Sequence, residues 1–237
     1  MGVFKRMWRR MVRSYHLSNS ERFCKYLRHK GIQIGEGCHF DPKTTNIDIT
    51  RPSLVSIGDN CYMNRGFTVL THDWAAHVFI HSGKDFVNSS GPVIIGNNVG
   101  FGENVTVLKG VRIGDNCFSG AGSVVSSDIP SDSIAVGYPC RVVKTLDEYY
   151  AKRKALSEKE AFEYARSIAS RFHRRPVVED FWEEFPFFVS GDEIEKYPTL
   201  PIVRQLGPSL ERYRKYHKAK YPSFEEFLKA AGIDDEK

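Results

Sequence analysis

From Ile94 the chain reads "IIGNNVGFGENVTVLKGVRIGDNCFSGAGSVV", and every sixth residue falls into one series: Ile95, Phe101, Val107, Ile113, Ser119 and Val125. Four positions after each of the first four stand Val99, Val105, Val111 and Cys117. Upstream the same frame picks out Ile57, Met63 and Val69, with Gly58, Asp59 and Asn60 repeating Gly114, Asp115 and Asn116. A shorter fragment, "IQIGEGCHF", sets Ile34 and Phe40 in the same spacing.

A period of six matches neither the α-helix, at 3.6 residues per turn, nor the two-residue alternation of a lone strand. It fits a solenoid in which each unit makes one flat side and then turns a corner. The apolar residue of each unit points inward and stacks on its counterparts in neighbouring coils. The Gly, Asn and Asp residues that follow tolerate tight or left-handed corner conformations. Three sides close a coil of about 18 residues and stack parallel strands along an axis.

The beat stops after Val69 and returns at Val93 and Ile95. Between them, over roughly residues 71–92, lie His72, Asp73, Trp74, His77 and His81, then the polar run "SGKDFVNSSG". A narrow solenoid has little interior for a ligand, so its chemistry belongs on the outer surface. A loop thrown from a corner can wall off part of that surface. Imidazole titrates near neutrality, which suits it to taking a proton from a weakly acidic group.

The repeats, together with "FSGAGSVVSSDIPSDSIAVGYPCRVVKTL" at residues 118–146, resemble the hexapeptide-repeat acyltransferases. The nearest subgroup is the maltose, galactoside and polysaccharide O-acetyltransferases. The resemblance covers roughly residues 32–146 and implies a left-handed parallel β-helix. It further implies transfer of an acetyl group from acetyl-CoA to a hydroxyl of a sugar or polysaccharide precursor, in a homotrimer with one site at each interface. An amine acceptor stays open. "THDW" matches the stretch that carries the family's catalytic histidine, which makes His72 the expected general base. Asn64, Asp73 and Trp74 are the expected acceptor contacts. Positions matching the family's CoA groove are Gly102 or its neighbour Glu103, Ala121, Ser126 and Ser127, with Arg141 and Lys144 toward the nucleotide. Two departures bear on that groove: "SSD" stands where "TKD" is frequent, and Glu103 where a small residue is usual. No metal is expected.

The rest of the chain divides into a basic helical segment, 1–31, and a helical extension, 147–237, on either side of the repeat domain. Residues 1–30 hold nine Lys/Arg against one acid. Such a segment suits an anionic membrane surface or a polyanionic substrate, but the solvated face of a docking helix is the reading preferred. No run of about 20 apolar residues is present, nor a secretion-signal core, so a cytoplasmic protein is expected. Five scattered cysteines without a CxxC pair read as reduced and mostly buried thiols. Nothing resembles a nucleic-acid-binding motif. The extension is expected to cap the solenoid or a neighbouring subunit, with short helices broken at Pro222. Two other function classes stand beside acetyl transfer: a metal site like that of γ-class carbonic anhydrases, using His72 and His77, and a non-catalytic β-helix scaffold.

Overall fold

The computed structural model describes residues 15–233. The outermost part of the basic N-terminal segment, and the membrane contact considered for it, lie outside these residues. Two compact units divide at Tyr150 and Ala151.

The first unit is a three-sided parallel β-helix. One sheet stacks β1 (Gln33–Ile34), β4 (Val55–Ile57), β7 (Val93–Ile95) and β10 (Arg112–Ile113). The second stacks β2 (His39–Phe40), β5 (Tyr62–Met63), β8 (Gly100–Phe101) and β11 (Phe118–Ser119), then β13 (Ser133–Gly137) and β14 (Cys140–Thr145). The third stacks β3 (Asn46–Ile47), β6 (Thr68–Val69), β9 (Thr106–Val107) and β12 (Val124–Val125). Neighbouring strands run parallel, except that β14 turns back antiparallel to β13. The period-six residues fill the interior: Ile34, Phe40, Ile57, Met63, Val69, Ile95, Phe101, Val107, Ile113 and Val125 are all buried. Ser119 keeps the frame as a polar residue, and its hydroxyl is buried without a hydrogen-bond partner.

The corners explain the Gly-Asn-Asp signature. Asn60, Asn98, Asn104 and Asn116 all adopt left-handed backbone, with φ between 53° and 57°. Their neighbours form a ladder along the axis. Asp59 accepts from the Glu36 N–H at 2.7 Å, Asn97 from the Asp59 N–H at 2.8 Å, and Asp115 from the Asn97 N–H at 2.6 Å. Each corner side chain thus satisfies a backbone donor of the adjoining coil, which would otherwise be left unpaired.

Helix α1 (Ser20–His29) starts at Asn19, whose side chain accepts from the Arg22 N–H at 2.9 Å. It buries Phe23, Cys24 and Leu27 over the first coil, Phe23 meeting Phe40 edge to face at 5.6 Å. Arg28 donates to the carbonyls of Ile34 and Gly35. The cysteines are unpaired, all buried except half-buried Cys38.

A 27-residue helix, α3 (Leu146–Phe172), leads into the second unit. There its Ala161, Ala165 and Ile168 pack with an aromatic core that includes Phe181, Phe185, Phe188 and Phe227. Short 3-10 turns follow α3, then α4 (Ile202–Leu206), α5 (Leu210–Tyr216) and α6 (Phe224–Ala230). The last two separate around Pro222, as the sequence suggests. No helix of the described residues is long and apolar enough to cross a membrane.

Candidate active site

The interruption leaves the solenoid at the end of β6 and returns at β7 through a narrow neck. The Gly91 N–H donates to the Thr71 carbonyl at 2.9 Å, the Asp73 N–H to the Ser89 carbonyl at 3.3 Å, and His72 bridges antiparallel to Ser90. Lys109, at the corner after β9, donates its ammonium to both Asp73 and Ser89, the two sides of the neck. Beyond the neck the chain is not all loop, as sequence reading supposed. Residues Ala75–His81 form a seven-residue helix, here α2.

His72 sits at the base of this excursion, with its side chain 21% exposed. Its Nδ1 lies 2.6 Å from Asp48 Oδ2. Asp48 comes from one coil earlier, just past β3. The register sets Ile47 beside Val69, and the Asp48 N–H donates to the Val69 carbonyl at 3.1 Å. Asp48 therefore stands at the corner from which Thr71 and His72 depart. Its carboxylate is 6% exposed and also accepts from the Thr71 hydroxyl, the Thr50 hydroxyl at 2.6 Å and the Thr50 N–H at 2.9 Å. Burial pushes the Asp48 carboxyl up, but the bonds from Thr50, Thr71 and His72 together outweigh it and hold the group below the usual carboxylate range. An ionised carboxylate can only accept, so Nδ1 of His72 carries the proton and Nε2 the lone pair. His72 has no other hydrogen-bond partner among the described residues, which leaves Nε2 free to act as a base.

The other anticipated acceptor contacts divide. Trp74 is 75% exposed, its ring centroid 6.5 Å from that of His72. Asp73 is engaged by Lys109 and by the Ala75 N–H, and the lysine above all brings its carboxyl down to about 2. Asn64 donates its amide to the Phe101 carbonyl at 2.9 Å, a coil-to-coil bond of the corner type. His77 and His81 lie on α2 and face each other rather than His72. No group of three or more His, Cys, Asp or Glu side chains able to hold a metal occurs among the described residues.

On the cofactor side, Gly102 and Ala121 occupy one corner of successive coils. A Cβ on Gly102 would stand 2.5 Å from the Ala121 nitrogen, so close coil stacking requires glycine there. Glu103, Ala121, Ser126 and Ser127 are exposed, and Arg141 and Lys144 stand on the closing β14 strand. Small residues at these corners, together with exposed Arg141 and half-buried Lys144, are chemically compatible with a pantetheine arm and a phosphorylated nucleotide.

Three residues of this region escaped sequence reasoning: Asp48, Thr71 and Lys109. Carrying the repeat from Phe40 to Ile47, seven residues on, would have placed Asp48 beside Leu70 and next to His72.

A family profile described as the hexapeptide repeat of succinyl-transferase matches residues 92–127. The galactoside O-acetyltransferase of Escherichia coli (strain K12) is 37% identical over 111 residues, 45% of this chain and 54% of that protein. The chain is thus similar to acetyltransferases built on the hexapeptide repeat. A putative acetyltransferase of Staphylococcus aureus (strain COL) is 46% identical over 136 residues, 46% of this chain and 66% of that one. The chain thus spans about half to two thirds of the length of these curated relatives. Among solved structures, a maltose O-acetyltransferase from Clostridium difficile 630 is 26% identical with a TM-score of 0.41, covering 60% of this chain and 87% of that one. The profile match falls within the β-helix.

Proposed function

We propose that this chain is an acetyl-CoA-dependent O-acetyltransferase acting on a hydroxyl of a sugar or polysaccharide precursor, with His72 as general base. The observation that carries the reading is the His72–Asp48 pair, which fixes the imidazole with its Nε2 lone pair outward. Nε2 takes the acceptor's proton as the hydroxyl oxygen attacks the thioester carbon. The C–S bond then breaks, and the imidazolium returns the proton to the departing thiolate. Asp48 stabilises the imidazolium in the interval. A positioned base of this kind contributes about 10²–10⁴-fold to rate. Gly102, Ala121, Ser126 and Ser127 would line the pantetheine, and Arg141 and Lys144 would meet the phosphates. Trp74 would pack against the sugar ring.

The site is completed at the interface of a symmetric trimer. Trp74, Val78, Phe86 and Val87 on the interruption are all more than half exposed, and a second copy would remove that apolar surface from water. The division of labour is a repeat domain over 32–146 that holds the site, with 147–237 as a helical accessory.

The test is mass spectrometry of sugars and nucleotide-sugars incubated with acetyl-CoA and the protein. Acetylated product with wild type, and its loss by at least about 10²-fold in His72→Ala, is the expected result. Wild-type transfer by His72→Ala overturns the assignment of the base, and no product from any acceptor overturns the activity.

A further inference from the structure

We propose that His77 and His81 form a metal-ion site on the exposed side of α2, taking a first-row cation of the zinc, nickel or copper class. The two residues stand one helical turn apart, and their ring centroids lie 4.4 Å from each other at an interplanar angle of 41°. Both are exposed. His81 Nδ1 lies 2.8 Å from the His77 carbonyl. A carbonyl oxygen can only accept, so Nδ1 holds the proton and the lone pair of His81 is on Nε2. A bond from the non-ligating N–H to a backbone carbonyl is the arrangement that orients metal-binding imidazoles. His81 is the last residue of α2, where the partial negative charge of unpaired carbonyls favours a cation.

Neutral imidazoles select zinc, nickel and copper over magnesium and calcium, which prefer oxygen donors. Two protein ligands leave the remaining positions to water, so the ion is exchangeable rather than a structural or catalytic centre of three or four protein ligands. The site is separate from His72, whose Nδ1 is committed to Asp48, and does not depend on acetyl transfer. An ion held there ties one turn of α2 to itself and stiffens the segment that follows Trp74.

The experiment is calorimetric titration of the full chain with Ni²⁺, in the absence of acetyl-CoA, for wild type, His77→Gln, His81→Gln and the double variant. Each single variant is expected to bind the ion at least about tenfold more weakly, and the double variant to lose the site. Copper is expected to bind more tightly than nickel in wild type. Amide exchange supplies a second readout: Ni²⁺ should slow exchange across residues 77–82 in wild type and not in the double variant. An unchanged isotherm in the double variant, or loss of binding only in Cys38→Ser, overturns the proposal.

Discussion

Replacing Asp48 with asparagine tests the logic of the site more sharply than removing the histidine. The carboxylate accepts from Thr50 twice, from Thr71 and from His72. In Asp48→Asn one oxygen can still serve Thr50, but the side facing Thr71 and His72 becomes an NH₂ donor. To accept from it, His72 must carry its lone pair on Nδ1 and its proton on Nε2, the wrong tautomer for a base. The shape of the corner is unchanged, so kcat should fall by about 10²–10⁴-fold while KM for acetyl-CoA stays near wild type. That loss corresponds to about 3–5 kcal/mol of transition-state stabilisation. Unfolding free energy should fall by a smaller amount, about 1–3 kcal/mol, because charge-assisted bonds become neutral ones. The sign of the pH dependence follows from the depressed carboxyl. Because the folded chain binds this proton less readily than the unfolded one, the stabilisation is complete above the ordinary carboxylate range. It drains away as pH falls below about 4, and Asp48→Asn should lack that part of the acid slope. Thiol release from acetyl-CoA with a sugar acceptor, and urea unfolding between acid and neutral pH, measure both effects. A kcat within about threefold of wild type would refute the tautomer argument.

Lys109→Met should free the two sides of the neck that Lys109 joins. Limited proteolysis within residues 82–90 should then speed up several-fold, and unchanged cleavage would count against the latch. Ser119→Ala removes a buried hydroxyl without a partner and should raise unfolding free energy by about 1 kcal/mol. A loss of stability in a denaturant titration would show that the hydroxyl is satisfied.

The solenoid was legible because its constraint is periodic. Each inward residue from Ile57 to Val125 must fill the same narrow section, and each corner asparagine must reach the same left-handed conformation. Ser119 kept the frame although it is polar, because position rather than residue type sets the beat. Legibility failed where the period slipped. The seven-residue step from Phe40 to Ile47 and the 3-10 turn at Pro52–Leu54 broke the frame, so Asp48 could not be placed beside His72. The partnership joins residues 24 positions apart and exists only once strands β3 and β6 are in register. Asp73, adjacent in sequence to His72, reads from the sequence as an acceptor contact. The backbone instead turns it toward Lys109. Helix α2 is too short to announce itself by apolar spacing. The aromatic core of the second unit is threaded through 3-10 turns that have no strong pattern to read.

A stack of coils must begin somewhere, and among the described residues no further coil lies beneath its first layer. Strands β1, β2 and β3 each stand at the end of their sheet, where bare amides and carbonyls invite a stranger's strand. Helix α1 answers this by lying across the opening, with apolar side chains as a plug and Arg28 gripping two carbonyls of the rim. Its removal would leave a template onto which the far end of another molecule could add, and the same regularity that builds one prism would then drive growth into filaments.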